Sequence, residues 1–250
     1  MSKIKKRLRI FAGPNGSGKS TLFEEFSKNH NTGHFINADN IEKILETKKI
    51  INLDFFNLKV SEYEFDAFLK NDNAKSLLKK SEEENHQIYL SCKENYIRSY
   101  SIKGSKYEGS LISSLIREKL TQNKQSFCFE TVMSHTSKLQ EIQEAKNQGY
   151  STYFYFICID DSEVNISRVK NRVNKGGHDV DATKIIERYS KTLNNLFPAI
   201  EICDKSYLFD NSGEKIKLIA EIQSGQSLKL HIDEKEFPNW FKNYVLKYFI

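Results

Sequence analysis

Cysteine is scarce and scattered in this chain: Cys92, Cys128, Cys158 and Cys203 form neither a CxxC pair nor a Cys/His spacing. That argues against a structural zinc site and a disulfide framework, and reduced thiols are expected. Long apolar runs are missing too, so no segment is expected to span a bilayer. The basic stretch from Lys3 to Arg9 would suit the head of a secretion signal, but only Ile10, Phe11 and Ala12 follow before glycine. No signal peptide is therefore expected. Charge of one sign is not concentrated either, since 38 Lys+Arg stand against 33 Asp+Glu and the net +5 is spread along the chain. This balance fits an anionic ligand but falls short of the dense basic face of a dedicated nucleic-acid binder. Internal repeats and low-complexity tracts are absent. What is present is 12% aromatic residues in 250, enough for a real core despite 28% charged residues. A globular protein of the cytoplasm is the expectation, with no membrane partner.

The apolar runs alternate with helical patterns. Arg7 to Ala12, His34 to Asn37, Ser126 to Phe129, Thr152 to Ile159 and Ser206 to Phe209 read as strands. Lys19 to Asn29, Tyr107 to Thr121, Ser137 to Gln148, Ser162 to Val173 and Ala182 to Leu196 read as helices. The pattern predicts an α/β fold: a parallel sheet of about five strands flanked by helices. The strands end at Gly13, Asp39, Glu130, Asp160 and Asp210, and open parallel sheets bind ligands at their carboxyl ends. Helix capping accounts equally well for such acids, and suffices for Asp160 and Asp161 before Ser162-Glu163. The segment 46–104 carries no strand-like run and shows helical spacing at Tyr63-Phe65-Phe68-Leu69 and Leu77-Leu78, so it reads as a helical insertion. The predicted organisation is a core over 1–222, interrupted by that insertion, and a helical tail over 223–250. In the tail Phe237, Trp240, Phe241, Tyr244, Val245, Tyr248 and Phe249 form a stripe expected to dock on the core.

Gly13-Pro14-Asn15-Gly16-Ser17-Gly18-Lys19-Ser20, followed by Thr21, matches GxxxxGK[ST] and lies between a predicted strand and a predicted helix. Glycines at these positions let successive backbone N–H groups turn inward around a phosphate chain, and the helix N-terminus adds its dipole. Lys19 would reach the β- and γ-phosphates of ATP, and the Ser20 hydroxyl would take a position on Mg²⁺. The same string occurs in transporter ATPases, but those also need an LSGGQ-type signature and a strand ending in Asp-Glu. Here the candidate strand ends FETV and no SGGQ follows.

Six blocks taken together resemble the zeta-toxin family of P-loop small-molecule kinases. They are FAGPNGSGKSTL at 11–22, FINADNI at 35–41, SFCFETVMS at 126–134, AKNQGYSTYFYFICIDDSEVNISRVKNRVNKGGHDVD at 145–181, IIERYSKTLNNL at 185–196 and SYLFDNS at 206–212. The resemblance implies a cytoplasmic ATP-dependent kinase, typically the toxin of a toxin–antitoxin pair, acting on a hydroxyl of UDP-N-acetylglucosamine. It leaves 46–104 and 223–250 without counterparts.

Phosphoryl transfer to a hydroxyl needs a phosphate cradle, a metal, a base beside the attacking oxygen and cations on the migrating group. Asp39, ending the second strand, stands where a base would face the γ-phosphate; a helix cap for Ile41 to Leu45 would explain it as well, and the resemblance makes it the catalytic base. Asn37 is an auxiliary polar contact. Glu130, with Thr131, ends the third strand where P-loop proteins carry the acid that binds Mg²⁺, and the resemblance adds contact with substrate. Ser134 and His135 are weaker acceptor-side candidates. Arg168 and Arg172 share a helix face; a solvated basic face satisfies that spacing, and the resemblance favours a lid pair closing over ATP, with Arg188 as a further phosphate contact. Lys175-Gly176-Gly177-His178 reads as the hinge of that lid, His178 fixing the loop by a hydrogen bond. Asn211, between Asp210 and Ser212, borders the adenine or the phosphate turn. The predicted function is thus transfer of the ATP γ-phosphate to a hydroxyl of a UDP-amino-sugar, with an antitoxin protein as a further partner. An ATPase whose output is conformational and a nucleic-acid end kinase are the alternatives.

Overall fold

The computed structural model of the chain describes residues 5–101, 106–174, 176–177 and 179–249. In chain order the elements are β1 (Arg7–Ala12), α1 (Lys19–Ser27), β2 (His34–Ile36), α2 (Ala38–Lys48), β3 (Ile50–Asn52), α3 (Glu62–Leu69), α4 (Asp72–Glu83), β4 (Leu90–Lys93), β5 (Tyr96–Ser99), α5 (Lys106–Gln122), β6 (Phe127–Thr131), α6 (Ser137–Asn147), β7 (Ser151–Cys158), α7 (Ser162–Asn174), α8 (Ala182–Asn194), α9 (Leu196–Ile202), β8 (Lys205–Asp210), β9 (Lys217–Gln223), β10 (Ser227–Leu230) and α10 (Asn239–Tyr244). They fall into two compact units, Met1–Phe35 with Ser126–Ile250, and Ile36–Gln125.

The first unit is built on a seven-stranded sheet in the order β10-β9-β8-β7-β1-β6-β2. Pairing is parallel between β1 and β6, β1 and β7, and β7 and β8. The pairs β8–β9 and β9–β10 are antiparallel. The central strands are buried along nearly their whole length, which is why they read as continuous apolar runs rather than as alternation. Phe11 on β1 stacks on Tyr155 of β7 at 4.9 Å, and Tyr155 stacks on Tyr207 of β8 at 5.1 Å. From α1, Phe23 and Phe26 set their rings edge-on to Phe11. The buried Arg9 sits over the rings of Phe26 and Tyr153, at 5.6 and 5.8 Å.

The α/β architecture is as predicted, and all five predicted strands are present. Three predictions need correcting. The sheet has seven strands rather than about five, because Lys217 to Leu230 folds back as a hairpin. Its turn is made by Ser224 and Gly225, both at positive φ (51° and 68°), the geometry a tight hairpin requires. The tail is therefore not helical from 223: the predicted boundary cuts this hairpin, and the helix α10 is confined to Asn239–Tyr244. The docking of the tail is as expected, with Phe237, Trp240, Phe241 and Val245 buried. Third, the segment 46–104 does contain strands.

Those strands belong to the second unit, which holds a three-stranded antiparallel sheet in the order β3-β5-β4. β4 and β5 turn through Glu94 and Asn95, both at positive φ, and each strand has only four residues. Such short strands, alternating buried Cys92 and Ile97 with polar neighbours, leave almost no periodic signal in sequence. The helices α3 and α4 match the predicted spacing. α2 lies against α5 at Gly109, where a Cβ would come within 2.6 Å of the Ala38 carbonyl oxygen. The predicted insertion boundary at residue 46 falls inside α2.

A capping box starts α3: Ser61 accepts from the Glu64 backbone N–H, and Glu64 in turn accepts from the Ser61 N–H. Glu64 also accepts from Lys119 of α5 at 2.8 Å. That ammonium, with the Ser61 N–H, draws the Glu64 carboxyl down to about 2 from 4.5. A depressed carboxyl contributes its stability above the unfolded value and loses it as pH falls toward 2. Because the Glu64 side chain is 42% exposed, solvent screens the pair and the contribution is modest. Glu64→Gln is expected to shrink the fall in melting temperature between neutral pH and about pH 3; an unchanged fall in thermal scans would remove this pair as an acid-sensitive brace.

All four cysteines are buried and unpaired by disulfides, matching the expected reduced thiols. Burial pushes Cys128 and Cys203 up to about 12. Among the described residues no helix is long and apolar enough to cross a membrane.

Candidate functional site

The site begins where β1 ends. Residues 13–18 leave the strand and enter α1 at Gly18, whose φ of 104° suits glycine and whose hydrogen gives the Asn211 side chain room. A Cβ there would lie 2.6 Å from Asn211 Nδ2, and a Cβ on Gly13 would lie 2.0 Å from the Ile157 carbonyl oxygen of β7. The glycines thus hold the turn tight against the sheet as well as freeing its amides. Among the described residues no side chain caps α1, so its first-turn N–H groups are available to an anion, as helix N-termini are.

Parallel pairing places Glu130 level with Phe11 and Thr131 level with Ala12, so β6 ends beside the point where β1 enters the turn. The consequence is a compact cluster. Ser20 Oγ donates to Glu130 Oε2 at 3.0 Å, and Lys19 Nζ lies 4.0 Å from Glu130 Oε1. Lys19 is 7% exposed and donates to the Pro14 carbonyl oxygen at 2.9 Å. A hydroxyl and a carboxylate form a hard-oxygen donor set of the kind Mg²⁺ takes, so these residues fit that ion. The turn fits a polyphosphate as well: among the described residues the buried Ser17 hydroxyl has no hydrogen-bond partner and can donate to a phosphate oxygen.

The turn is braced from behind by α7 and by the loop after β8. Asn165 donates from Nδ2 to the Asn15 carbonyl oxygen at 2.6 Å. Asn211 donates from Nδ2 to the Ser17 carbonyl oxygen at 2.8 Å, and Arg168 donates to the Asn211 carbonyl oxygen at 3.0 Å. Arg168 and Asn211 are thereby brought to the phosphate turn, and of the two borders expected for Asn211 it is the turn that the structure shows. Arg172 lies one helical turn beyond Arg168. Gly176 N–H donates to Val173 O and Gly177 N–H to Arg172 O, bonds that close the end of α7. Gly177 also packs on Arg172, whose Cγ would be 2.5 Å from a Cβ there. The glycine pair expected as a hinge follows α7 and packs on Arg172. Lys175 and His178 lie outside the described residues.

Thr131 ends β6, and Ser134 lies in the loop after it. Thr131 Oγ1 accepts from the N–H of Met133, a buried residue at φ 63°, where a side chain is rare. From the far end of α8, Thr192 donates to the Val132 carbonyl oxygen at 2.8 Å, and Asn195 just beyond donates to Met133 O at 2.9 Å, holding that loop. Arg188 is half-buried on the same helix. His135 is exposed and turned to Ser137, at 2.9 Å.

Asn37 and Asp39 belong to the second unit. Asn37 takes the capping role, its Oδ1 accepting from the Asn40 N–H at 3.2 Å, and Asp39 follows half-buried in the first turn of α2. The cap considered for Asp39 is thus supplied by its neighbour.

Sequence reasoning missed Asn165, Thr192, Asn195 and the role of Asp160. Asn165 carried a signal, since it shares the helix face of Arg168 and Arg172; the others had none. Asp161 caps α7 as expected, accepting from the Glu163 N–H at 2.8 Å, whereas Asp160 binds the tail.

Against known proteins, the fold is similar to a chain in the crystal structure of AvrRxo1-ORF1:AvrRxo1-ORF2 with sulphate ions, at a TM-score of 0.58 and 12% identity, aligning 96% of this chain with 64% of that one. The crystal structure of that complex with ATP gives 0.56 and 13%, over 90% and 60%. An uncharacterized protein of Haemophilus influenzae is 33% identical over 63 residues, 25% of this chain and 45% of that protein. The chain therefore spans less than half of that curated relative and under two thirds of these solved chains. Residues 71–213 match the zeta-toxin family, a stretch that holds Glu130, Arg168, Arg172, Arg188 and Asn211 and leaves the phosphate turn to its N-terminal side. With more than half of its length matched, the chain belongs to the zeta-toxin family.

Proposed function

We propose that this chain is an ATP-dependent kinase that transfers the γ-phosphate to a hydroxyl of a UDP-amino-sugar such as UDP-N-acetylglucosamine. The observation that carries the reading is the Ser20–Glu130 pair, 3.0 Å apart beside Lys19, at the mouth of the glycine-lined turn. The N–H groups of residues 15–21 and the Lys19 ammonium bind the β- and γ-phosphates. Ser20 and Glu130 would hold Mg²⁺, which would neutralise charge on the phosphates. The Asp39 carboxylate takes the proton of the acceptor hydroxyl as its oxygen bonds to the γ-phosphorus and ADP leaves. Arg168 and Arg172 offset charge on the migrating group, and Arg188 adds a phosphate contact. Asn37, Thr131 and Ser134 contact the acceptor, together with Glu130. Family membership supports the acceptor class and the role of a toxin. The AvrRxo1-ORF1:ORF2 structures hold two proteins together and, in one crystal, ATP, which supports ATP as donor and a protein as partner; family membership makes that partner an antitoxin.

The test is to incubate the chain with ATP and Mg²⁺ over a panel of UDP-sugars, nucleosides and oligonucleotide ends, and to look by mass spectrometry for the gain of a phosphate. A gain on a UDP-amino-sugar is expected. A gain confined to oligonucleotide ends would make it a nucleic-acid end kinase, and ATP hydrolysis with no phosphorylated acceptor would make it a conformational ATPase.

A further inference from the structure

The segment after β10 reaches the phosphate turn through a chain of hydrogen bonds. Trp240, 2% exposed, donates from its indole Nε1 to Asp210 Oδ1 at 3.1 Å, and from its backbone N–H to Asp160 Oδ1 at 2.8 Å. Asn239 donates to the other oxygen of Asp160, also at 2.8 Å. Register puts Asp210 level with Cys158, so the carboxylates that end β7 and β8 lie close enough for one residue to hold both. Asp210 in turn accepts from the Ser212 hydroxyl at 2.8 Å and the Ser212 N–H at 3.1 Å, and the Ser212 hydroxyl accepts from the Asp160 N–H at 3.0 Å. The residue clasped inside this turn is Asn211. Its N–H donates to the Cys158 carbonyl oxygen and its side chain to Ser17, in the middle of the phosphate turn.

We propose that the C-terminal segment is a working part of the phosphate-binding site, with Trp240 and Asp160 as positioning residues that fix Asn211, and through it the turn 13–18. The segment lies beyond the stretch matched to the family. Two carboxylates at the ligand-binding edge of the sheet are thus committed to a protein segment, leaving Glu130 as the acid beside Ser20. Only the nucleotide readout below rests on the kinase reading; the link from Trp240 to the turn exists without any ligand.

Hydrogen–deuterium exchange on the full chain without nucleotide tests it. Trp240→Phe keeps an aromatic ring against Phe156, 5.5 Å away, and keeps the backbone bond to Asp160, but loses the indole N–H. About tenfold faster exchange is expected for the amides of residues 13–22, the size of effect that follows from losing one hydrogen bond to a carboxylate. Asp160→Asn should act in the same direction from the other side, without touching the aromatic core. Glu236→Gln, in the same tail, removes the charge from the 3.0 Å pair with Lys217 of β9 and should leave the turn unchanged. Unchanged exchange in both Trp240→Phe and Asp160→Asn overturns the proposal, as does an equal effect from Glu236→Gln, which would mean general loosening. Trp240 is the only tryptophan in the sequence, so its emission in the unsubstituted chain should also shift on adding ATP and Mg²⁺. The exchange pattern without any ATP binding would keep the clamp and sink the kinase reading; ATP binding with unaltered exchange in both variants would do the reverse.

Discussion

Asp39→Asn is expected to lower phosphate transfer by about 100-fold to 10,000-fold, the range associated with losing a general base, while ATP binds as before. The substitution preserves shape and removes only the ability to take the acceptor's proton. Asp39 is in the first turn of α2, where a carboxylate complements the helix dipole, so a small loss of stability of about 0.3–1 kcal/mol accompanies the change. The helix itself should persist, because its cap is the Asn37 side chain. Turnover, ATP affinity and melting temperature measured on one preparation separate these effects. A fall in turnover with unchanged affinity identifies the base; unchanged turnover removes Asp39 from that role.

Lys19→Ala should weaken ATP binding and lower transfer together, by about 100-fold to 1,000-fold, the loss seen when one preorganised donor to developing charge is removed. The Lys19 ammonium is buried between the Pro14 carbonyl oxygen and Glu130, so it is held in place before the phosphate arrives. Glu130, at 13% exposure, keeps the Ser20 hydroxyl as a partner in the variant. That contact limits the cost of leaving a half-buried carboxylate beside a missing cation, so the fold should survive. If expression of the unaltered chain slows growth, Lys19→Ala should restore it. Toxicity that persists in a variant shown to be folded and unable to bind ATP would argue against a kinase toxin.

The elements legible in the sequence are those whose signal is local. β1, β6 and β7 announce themselves because burial on both faces demands continuous apolar runs, and the phosphate turn because a backbone cradle needs glycine at fixed spacing. The hairpins at 93–96 and 223–226 were not legible. Their strands are short or partly exposed, and the first turns through Glu94 and Asn95 without glycine. The N–H groups of Gly176 and Gly177 bond back to the last turn of α7, a contact that the glycine spacing alone does not announce.

Glu130, Asp160 and Asp210 look alike in sequence, each an acid at the end of a predicted strand. Primary structure alone determined that a glycine-rich turn of the phosphate-binding pattern follows the first strand and that acids stand at the sheet's carboxyl edge, because both are properties of contiguous residues. Which acid serves the turn was decided by tertiary structure. Register brings Glu130 to Ser20, whereas a tail residue 80 positions away in sequence claims Asp160 and another bond of the same tryptophan claims Asp210. A carboxylate's role follows from the donors that reach it, and here those donors arrive only once the chain has folded back on itself.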